Sequence, residues 1–274
     1  VTTETTATKE EAVKTLVGEW SSIDSLLESL TPAQWATPTA LPGWSVQDVV
    51  SHIVGAELGL AGNQPPLAVD VRSLPHVRND IGAVNEYWVE SFRAVSPSDL
   101  HRQFREITAS RAETLQSMSS EDFFAPHWTP SGQDTYARYM RIRLFDCWMH
   151  EQDIRDAVGL PGNESGPCVE TSLDEITAAL GYIVGKRASA PTGSSVTFTL
   201  NGPTSRTIHV AVDGRAKVVT SLPRPATATL TMSSTTFTRL AGGRIPVEVG
   251  LSQTTADGNS ELAEHVVFAL PFTI

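Results

Sequence analysis

The sequence predicts two domains of different class: a bundle of four principal helices over residues 1–160, then a small α+β domain with an antiparallel sheet over residues 168–274. Three observations predict it. At 274 residues the chain exceeds the usual length of one domain, so two cores are expected. Up to Val158 the apolar residues recur at helical spacing. The run Gly159-Leu-Pro-Gly-Asn-Glu-Ser-Gly-Pro167, with three Gly and two Pro in nine residues, ends that pattern as a linker, and period-two alternation begins beyond it.

The first helix starts after Thr8, because in Thr8-Lys-Glu-Glu11 hydroxyl and carboxylate satisfy each other's free backbone groups as a capping box. Val13, Leu16, Val17, Trp20, Ile23, Leu26 and Leu27 carry its apolar face to Leu30. Thr31-Pro-Ala-Gln-Trp35 adds a short turn, with Pro32 where a missing N–H costs nothing. Leu41-Pro-Gly-Trp44 is a compact turn that delivers the chain to Ser45, the cap of the second helix, with Asp48 complementing the dipole of its first turn. On that helix Val46, Val49, Val50, Ile53 and Val54 form the stripe and His52 lies at its margin, pointing partly inward. Residues 62–78 hold Gly62, Pro65, Pro66 and Pro75 and read as a surface loop.

Helical pattern returns over 79–95 and restarts at Ser96-Pro-Ser-Asp99, running to about Met118. Pro126, His127, Trp128 and Pro130 break it within 119–133, and a long helix over 134–158 closes at Gly159. Past the linker the sequence predicts a helix over 170–189. Alternating strands follow over 196–200, 207–212, 216–220 and 226–232, separated by Asn201-Gly202, Asp213-Gly214, Pro223 and Pro225. Ser233 or Ser234 caps a helix to Gly242, and 260–270 is a final helix. No internal repeat is visible.

Hydrophobic residues make up 40% of the chain, with six Trp and nine Phe, enough for two cores. The formal net charge of −11 argues against nucleic acid and anionic membrane surfaces as partners, because the field repels phosphates. Cys147 and Cys168 are the two cysteines, and neither belongs to a Cys-x-x-Cys unit that would suggest a redox dithiol or thiolate zinc site. Residues 1–9 lack the apolar core of a signal peptide and no window has the length of a membrane span, so a cytoplasmic protein is expected.

The chemistry concentrates in Arg141-Ile-Arg-Leu-Phe-Asp-Cys-Trp-Met-His-Glu-Gln-Asp153. Asp146 and His150, four apart on a helix, share a face with Cβ atoms ~5–6 Å apart, within reach of one ion. Their plain alternative is a solvated i,i+4 ion pair, disfavoured because Leu144, Phe145, Cys147, Trp148 and Met149 surround them. A chemically active zinc site takes three protein ligands and keeps an open position, and His52 is the best third ligand. Taken alone, His52 is better explained as a partly buried imidazole bonded to a backbone carbonyl, and it becomes a ligand only when joined to Asp146 and His150. Asp153 either orients the His150 ring or is a surface acid near a helix end. Arg141 and Arg143 either anchor a carboxylate-bearing ligand or snorkel at the surface. His127, beside Trp128, is a candidate cleft wall, and Cys147 is read as packing.

Taken together, Leu41-Pro-Gly-Trp-Ser-Val-Gln-Asp-Val-Val-Ser-His52 and Arg143-Leu-Phe-Asp-Cys-Trp-Met-His-Glu-Gln-Asp153 resemble the mycothiol-dependent maleylpyruvate isomerase family over almost the whole chain. The resemblance implies a DinB-like metal-binding four-helix bundle and a sterol-carrier-like second domain. It also implies a divalent metal, usually zinc, held by His52, Asp146 and His150, with mycothiol as the thiol cosubstrate. This sequence departs from the isomerase pattern by carrying Asp146 where that enzyme has Glu, a carboxylate one methylene shorter. Arg244, in Leu240-Ala-Gly-Gly-Arg244, resembles a Gly-Arg element of the family's second domain.

From that departure the expected activity is a metal-dependent mycothiol S-transferase, a detoxification chemistry that conjugates the thiol to a small electrophile. The alternative within the family is maleylpyruvate cis/trans isomerisation. From other classes, a lipid or small-molecule binding module and a metal-dependent hydrolase remain as rivals.

Overall fold

The computed structural model describes residues 8–66 and 69–273. The expected lack of a leader at the amino terminus, and residues 67 and 68 of the expected loop, fall outside the described residues or partly so. The chain forms two compact units, the first ending at Gly162 and the second starting at Asn163.

The first unit contains α1 (Lys9–Glu28), α2 (Pro32–Trp35), α3 (Val46–Leu60), α4 (Asp80–Phe92), α5 (Pro97–Ser117), α6 (Ser120–Phe123), β1 (Pro126–Thr129), β2 (Gly132–Thr135) and α7 (Tyr136–Val158). Four of these make the bundle: α1 packs on α5 and α7, and α3 packs on the same two helices. The fifth long helix, α4, lies against α3. Leu16, Ile23 and Leu27 of α1, Val49, Val50 and Ile53 of α3, Leu100, Phe104 and Leu115 of α5, and Trp148 of α7 are all almost fully buried and form the core of the bundle. The helix starts follow the caps written in the sequence. Thr8 with Glu11 and Ser45 with Asp48 form complete capping boxes, and Ser96 caps α5 with Pro97 in its first turn. Gly159 closes α7 in a left-handed conformation, φ 68°, which a glycine adopts without a Cβ penalty.

Two expectations are refined here. The break over 119–133 is a turn of helix, α6, followed by a hairpin in which Thr129 pairs with Gly132 and Pro126 with Thr135, so α7 begins at Tyr136 rather than 134. The 62–78 segment contains a short 3₁₀ turn, Val71–Ser73, that buries Val71.

The second unit contains α8 (Pro167–Tyr182), continued by a π-helical turn (Ile183–Arg187), then β3 (Ser195–Asn201), β4 (Arg206–Asp213), β5 (Arg215–Val219), β6 (Ala228–Ser233), α9 (Ser234–Ala241), α10 (Val247–Ser252), β7 (Thr255–Gly258) and α11 (Ser260–Ala269). The sheet runs β5-β4-β3-β6-β7. Its pairs are antiparallel except β3 with β6, which run parallel with Phe198 opposite Leu230. Parallel neighbours need a long crossover, and β4, β5 and the loop after them supply it. Ala228, Leu230 and Met232 point into the core while Thr229 and Thr231 stay half-buried, and α8, α9 and α11 pack on the sheet. β7, with all four residues exposed, and the six-residue α10 carried no signal long enough to predict. Among the described residues no helix is long and apolar enough to cross a membrane.

Candidate metal centre

α7 presents one polar stripe: Tyr139, Arg143, Asp146, His150 and Asp153 follow each other at steps of three or four residues and share a face. Opposite it α3 carries His52 and Glu57. Packing α3 against α7 brings His52, Asp146 and His150 together, with a ligand atom of each within 4.8 Å of the others. His52 Nε2 is 3.2 Å from Asp146 Oδ2, and His150 Nε2 is 3.5 Å from Asp146 Oδ1. The imidazole centroids are 4.8 Å apart. Both histidines are buried, while the Asp146 side chain keeps 31% of its surface exposed, so the cluster is open on the carboxylate's side.

Each donor is held from behind. Asp153, itself buried, sits 3.0 Å from His150 Nδ1. Accepting that N–H keeps a proton on Nδ1 and leaves Nε2, which faces Asp146, as the nitrogen that can give up its own proton to a cation. Arg143 donates from Nη1 to Asp146 Oδ2, from Nε to Glu57 Oε1 at 3.0 Å, and has Nη2 3.5 Å from the Cys147 sulfur. All three guanidinium nitrogens are therefore engaged inside the protein. Trp44 covers the histidines, its ring centroid 5.4 Å from that of His52 and 6.2 Å from that of His150. Its indole N–H donates to the fully buried Glu86 at 2.8 Å, and the same carboxylate takes His76 at 3.0 Å. Gly43, φ 81°, permits this turn, since a Cβ there would come within 3.0 Å of His76.

The electrostatics separate the donors. Burial, the largest effect, lowers the His52 pKa against the pull of Asp146, so this ring is neutral, the form that binds a cation. For His150 burial also opposes the charge, but Asp146 and Asp153 together outweigh it and raise the pKa. Burial opposes ionisation of Asp146 too, yet His150, His52 and Arg143 hold its carboxyl well below the usual range. Burial pushes the Cys147 thiol far up despite Arg143 beside it, so it stays protonated near neutrality and cannot serve as a thiolate nucleophile there. Two imidazoles and one carboxylate with an open side suit a borderline cation such as Zn²⁺.

The remaining sequence-predicted residues stand elsewhere. His127 lies exposed on β1, its ring 5.2 Å from Tyr136 and 5.6 Å from Tyr139, at the amino-terminal end of the α7 stripe. Burial raises the Tyr139 pKa, keeping this phenol protonated one turn before Arg143. Arg244 belongs to the second unit, where it donates to the Gly242 carbonyl at 2.5 Å and the Thr273 hydroxyl at 3.4 Å. Nothing in the sequence assigned Glu57, Arg111, Trp44 or Tyr139 a place around the donors, although for Tyr139 a signal existed in the heptad spacing that leads from it through Arg143 to Asp146.

Comparison with known proteins bears on this geometry. A family model described as the mycothiol maleylpyruvate isomerase N-terminal domain matches residues 16–155, and one described as the MDMPI C-terminal domain matches residues 170–265. Uncharacterized proteins from two strains of Mycobacterium tuberculosis are 26% identical over 149 residues, 54% of this chain and 56% of theirs. The chain thus spans about half the length of these curated relatives. A crystal structure of the mycothiol-dependent maleylpyruvate isomerase is similar over 94% of this chain and 96% of its own, with a TM-score of 0.59 at 17% identity. A histidine-to-alanine mutant of it gives 0.58 at 16% over the same shares. At those identities the likeness is one of fold. The amino-terminal family model alone covers more than half of the sequence, and on that ground the chain belongs to the mycothiol maleylpyruvate isomerase family.

Proposed function

We propose that this chain is a divalent-metal-dependent enzyme that uses mycothiol to isomerise maleylpyruvate about its cis double bond, in a cytoplasmic setting. The observation that carries the metal reading is the convergence of His52, Asp146 and His150, from two helices, within 4.8 Å. Isomerisation is favoured over the S-transferase reading because the family model that matches residues 16–155 is described as that of a mycothiol maleylpyruvate isomerase. The shorter Asp146 is the feature that favoured S-transfer, and Arg143 accounts for it differently, as a brace on the shorter carboxylate.

When bound, a divalent cation, of which zinc fits the donor set best, supplies Lewis acidity that lowers the pKa of a thiol at its open position. Reversible addition of a cosubstrate thiolate to the conjugated double bond would form a C–S bond and move the π electrons onto the neighbouring carbonyl, leaving a single bond free to rotate until loss of the thiolate returns them and restores the alkene. The chain's own part is to hold the reactants. His52 and His150 present Nε2 atoms and Asp146 its Oδ1, while Asp153 keeps the His150 proton on Nδ1. Trp44 walls the cluster off from bulk water on the histidine side. Since Cys147 stays a thiol, the nucleophile comes from the cosubstrate. Tyr139, one turn before Arg143 and protonated, and His127, whose ring lies 5.6 Å from that of Tyr139, are candidates to meet the substrate.

The test is turnover of maleylpyruvate with mycothiol before and after chelation. Thiol-dependent isomerisation, lost with a chelator and restored by Zn²⁺, is expected. Accumulation of an S-conjugate would favour transfer instead. Ester hydrolysis with no thiol would favour the hydrolase.

A further inference from the structure

Glu57 sits on α3 five residues beyond His52 and is fully buried. Its carboxylate is shared. Oε2 accepts from Arg111 Nε at 3.1 Å and Oε1 from Arg143 Nε at 3.0 Å. Arg111 on α5 also donates from Nη2 to the Tyr136 hydroxyl at 2.6 Å, and Arg143 on α7 reaches on to Asp146. Arg111, Glu57, Arg143 and Asp146 therefore form a line of alternating charge across three helices, and the side chains of the first three are at most 6% exposed. Ion pairs buried so deeply are poor stabilisers, because their desolvation consumes most of the attraction, and apolar packing would hold the helices as well. What such a line does supply is geometry. It fixes the guanidinium plane, and through Nη1 it holds Asp146 Oδ2, the oxygen that also lies 3.2 Å from His52 Nε2, and so sets the tilt of the carboxylate toward the donor cluster.

It also sets charge. An arginine alone beside a ligand carboxylate competes with a cation for it, and Glu57 offsets that competition while Arg111, donating to Oε2, holds Glu57 in place. We propose that Glu57 is a positioning residue of this centre: through Arg143 it orients Asp146 and keeps that carboxylate available as a metal donor. The inference rests on the reading of His52, Asp146 and His150 as metal ligands.

The experiment is a Zn²⁺ competition titration of metal-free protein against a chromophoric chelator, with the visible spectrum of the Co²⁺-loaded protein as a report on the ligand set. Glu57→Gln is expected to weaken Zn²⁺ binding about 10–100-fold, the usual cost of losing a partner behind a ligand, and to alter the Co²⁺ spectrum. The control is Glu151→Gln. Glu151 is equally buried on α7 but bonded to Ser22 and Arg155, away from the donors, so its loss is expected to lower stability without moving either readout. If Glu57→Gln does not fold, Arg143→Lys gives the same readout, since an ammonium keeps the charge but cannot span both carboxylates. Wild-type Zn²⁺ affinity in folded Glu57→Gln or Arg143→Lys, or an equal loss in Glu151→Gln, overturns the proposal alone. Failure of the wild-type protein to take up Zn²⁺ overturns the metal reading and this proposal with it.

Discussion

His150 reaches the donor cluster with its far nitrogen bonded to Asp153 at 3.0 Å, whereas the Nδ1 of His52, equally buried, has no hydrogen-bond partner among the described residues. His52 is kept in place by the apolar stripe of α3 and by the Trp44 ring. The consequence appears in their charges, since burial drives His52 toward neutrality while two carboxylates draw a proton onto His150. Within one donor set, one ligand is oriented by charge and the other by packing.

Breaking either ligand has the largest effect: His52→Ala and His150→Ala are each expected to remove both bound metal and turnover, read by metal analysis and the isomerase assay. Asp153→Asn tests the electrostatic hold on His150 alone, and a loss of about 10–100-fold in Zn²⁺ affinity is expected from removing such a partner. The packing hold on His52 is tested by Trp44→Ala, for which a smaller loss, under about tenfold, is expected because the ligand keeps its own bonding capacity. Equal losses in the two variants would erase the distinction.

The pH dependence of the metal-free protein sharpens the same contrast. His150 has a raised pKa in the fold, so its ion pairs stabilise fully below pH 6.5 and fade as pH rises through its folded value. His52 has a lowered pKa, so burying it neutral is stabilising relative to its charged form above pH 6.5, and that contribution is lost as pH falls through its folded value. In His150→Gln the decline of metal-free stability above pH 6.5 is expected to flatten, and in His52→Asn the decline below it, both seen in denaturant midpoints across pH. The smallest effect is expected from Cys147→Ala: a stability loss of about 1 kcal/mol with turnover retained, since the thiol only packs beside Arg143.

How legible the site was follows the range of the interactions. Asp146 and His150 are four residues apart and readable as a pair, and the caps at Thr8, Ser45 and Ser96 fix the helix starts from four-residue motifs. His52 is 94 residues away from Asp146, so its helical setting made it a candidate third ligand and the family resemblance joined it to the pair. Glu57 and Arg111 look like surface charges in sequence, because nothing local tells a charge buried against a partner 54 residues off from one facing water. The hairpin over 126–135 escaped notice since Pro126, Pro130 and Gly132 signal a loop as strongly as a turn, and the parallel pairing of β3 and β6 depends on a register that alternation does not encode.

The measurement closest to the centre of the account is the metal content of protein purified without a His tag, for the wild type and for His52→Ala side by side. About one divalent ion per wild-type chain and almost none in the folded variant is the expected result. A metal-free wild type that still isomerises maleylpyruvate with mycothiol, unaffected by chelator, would contradict it.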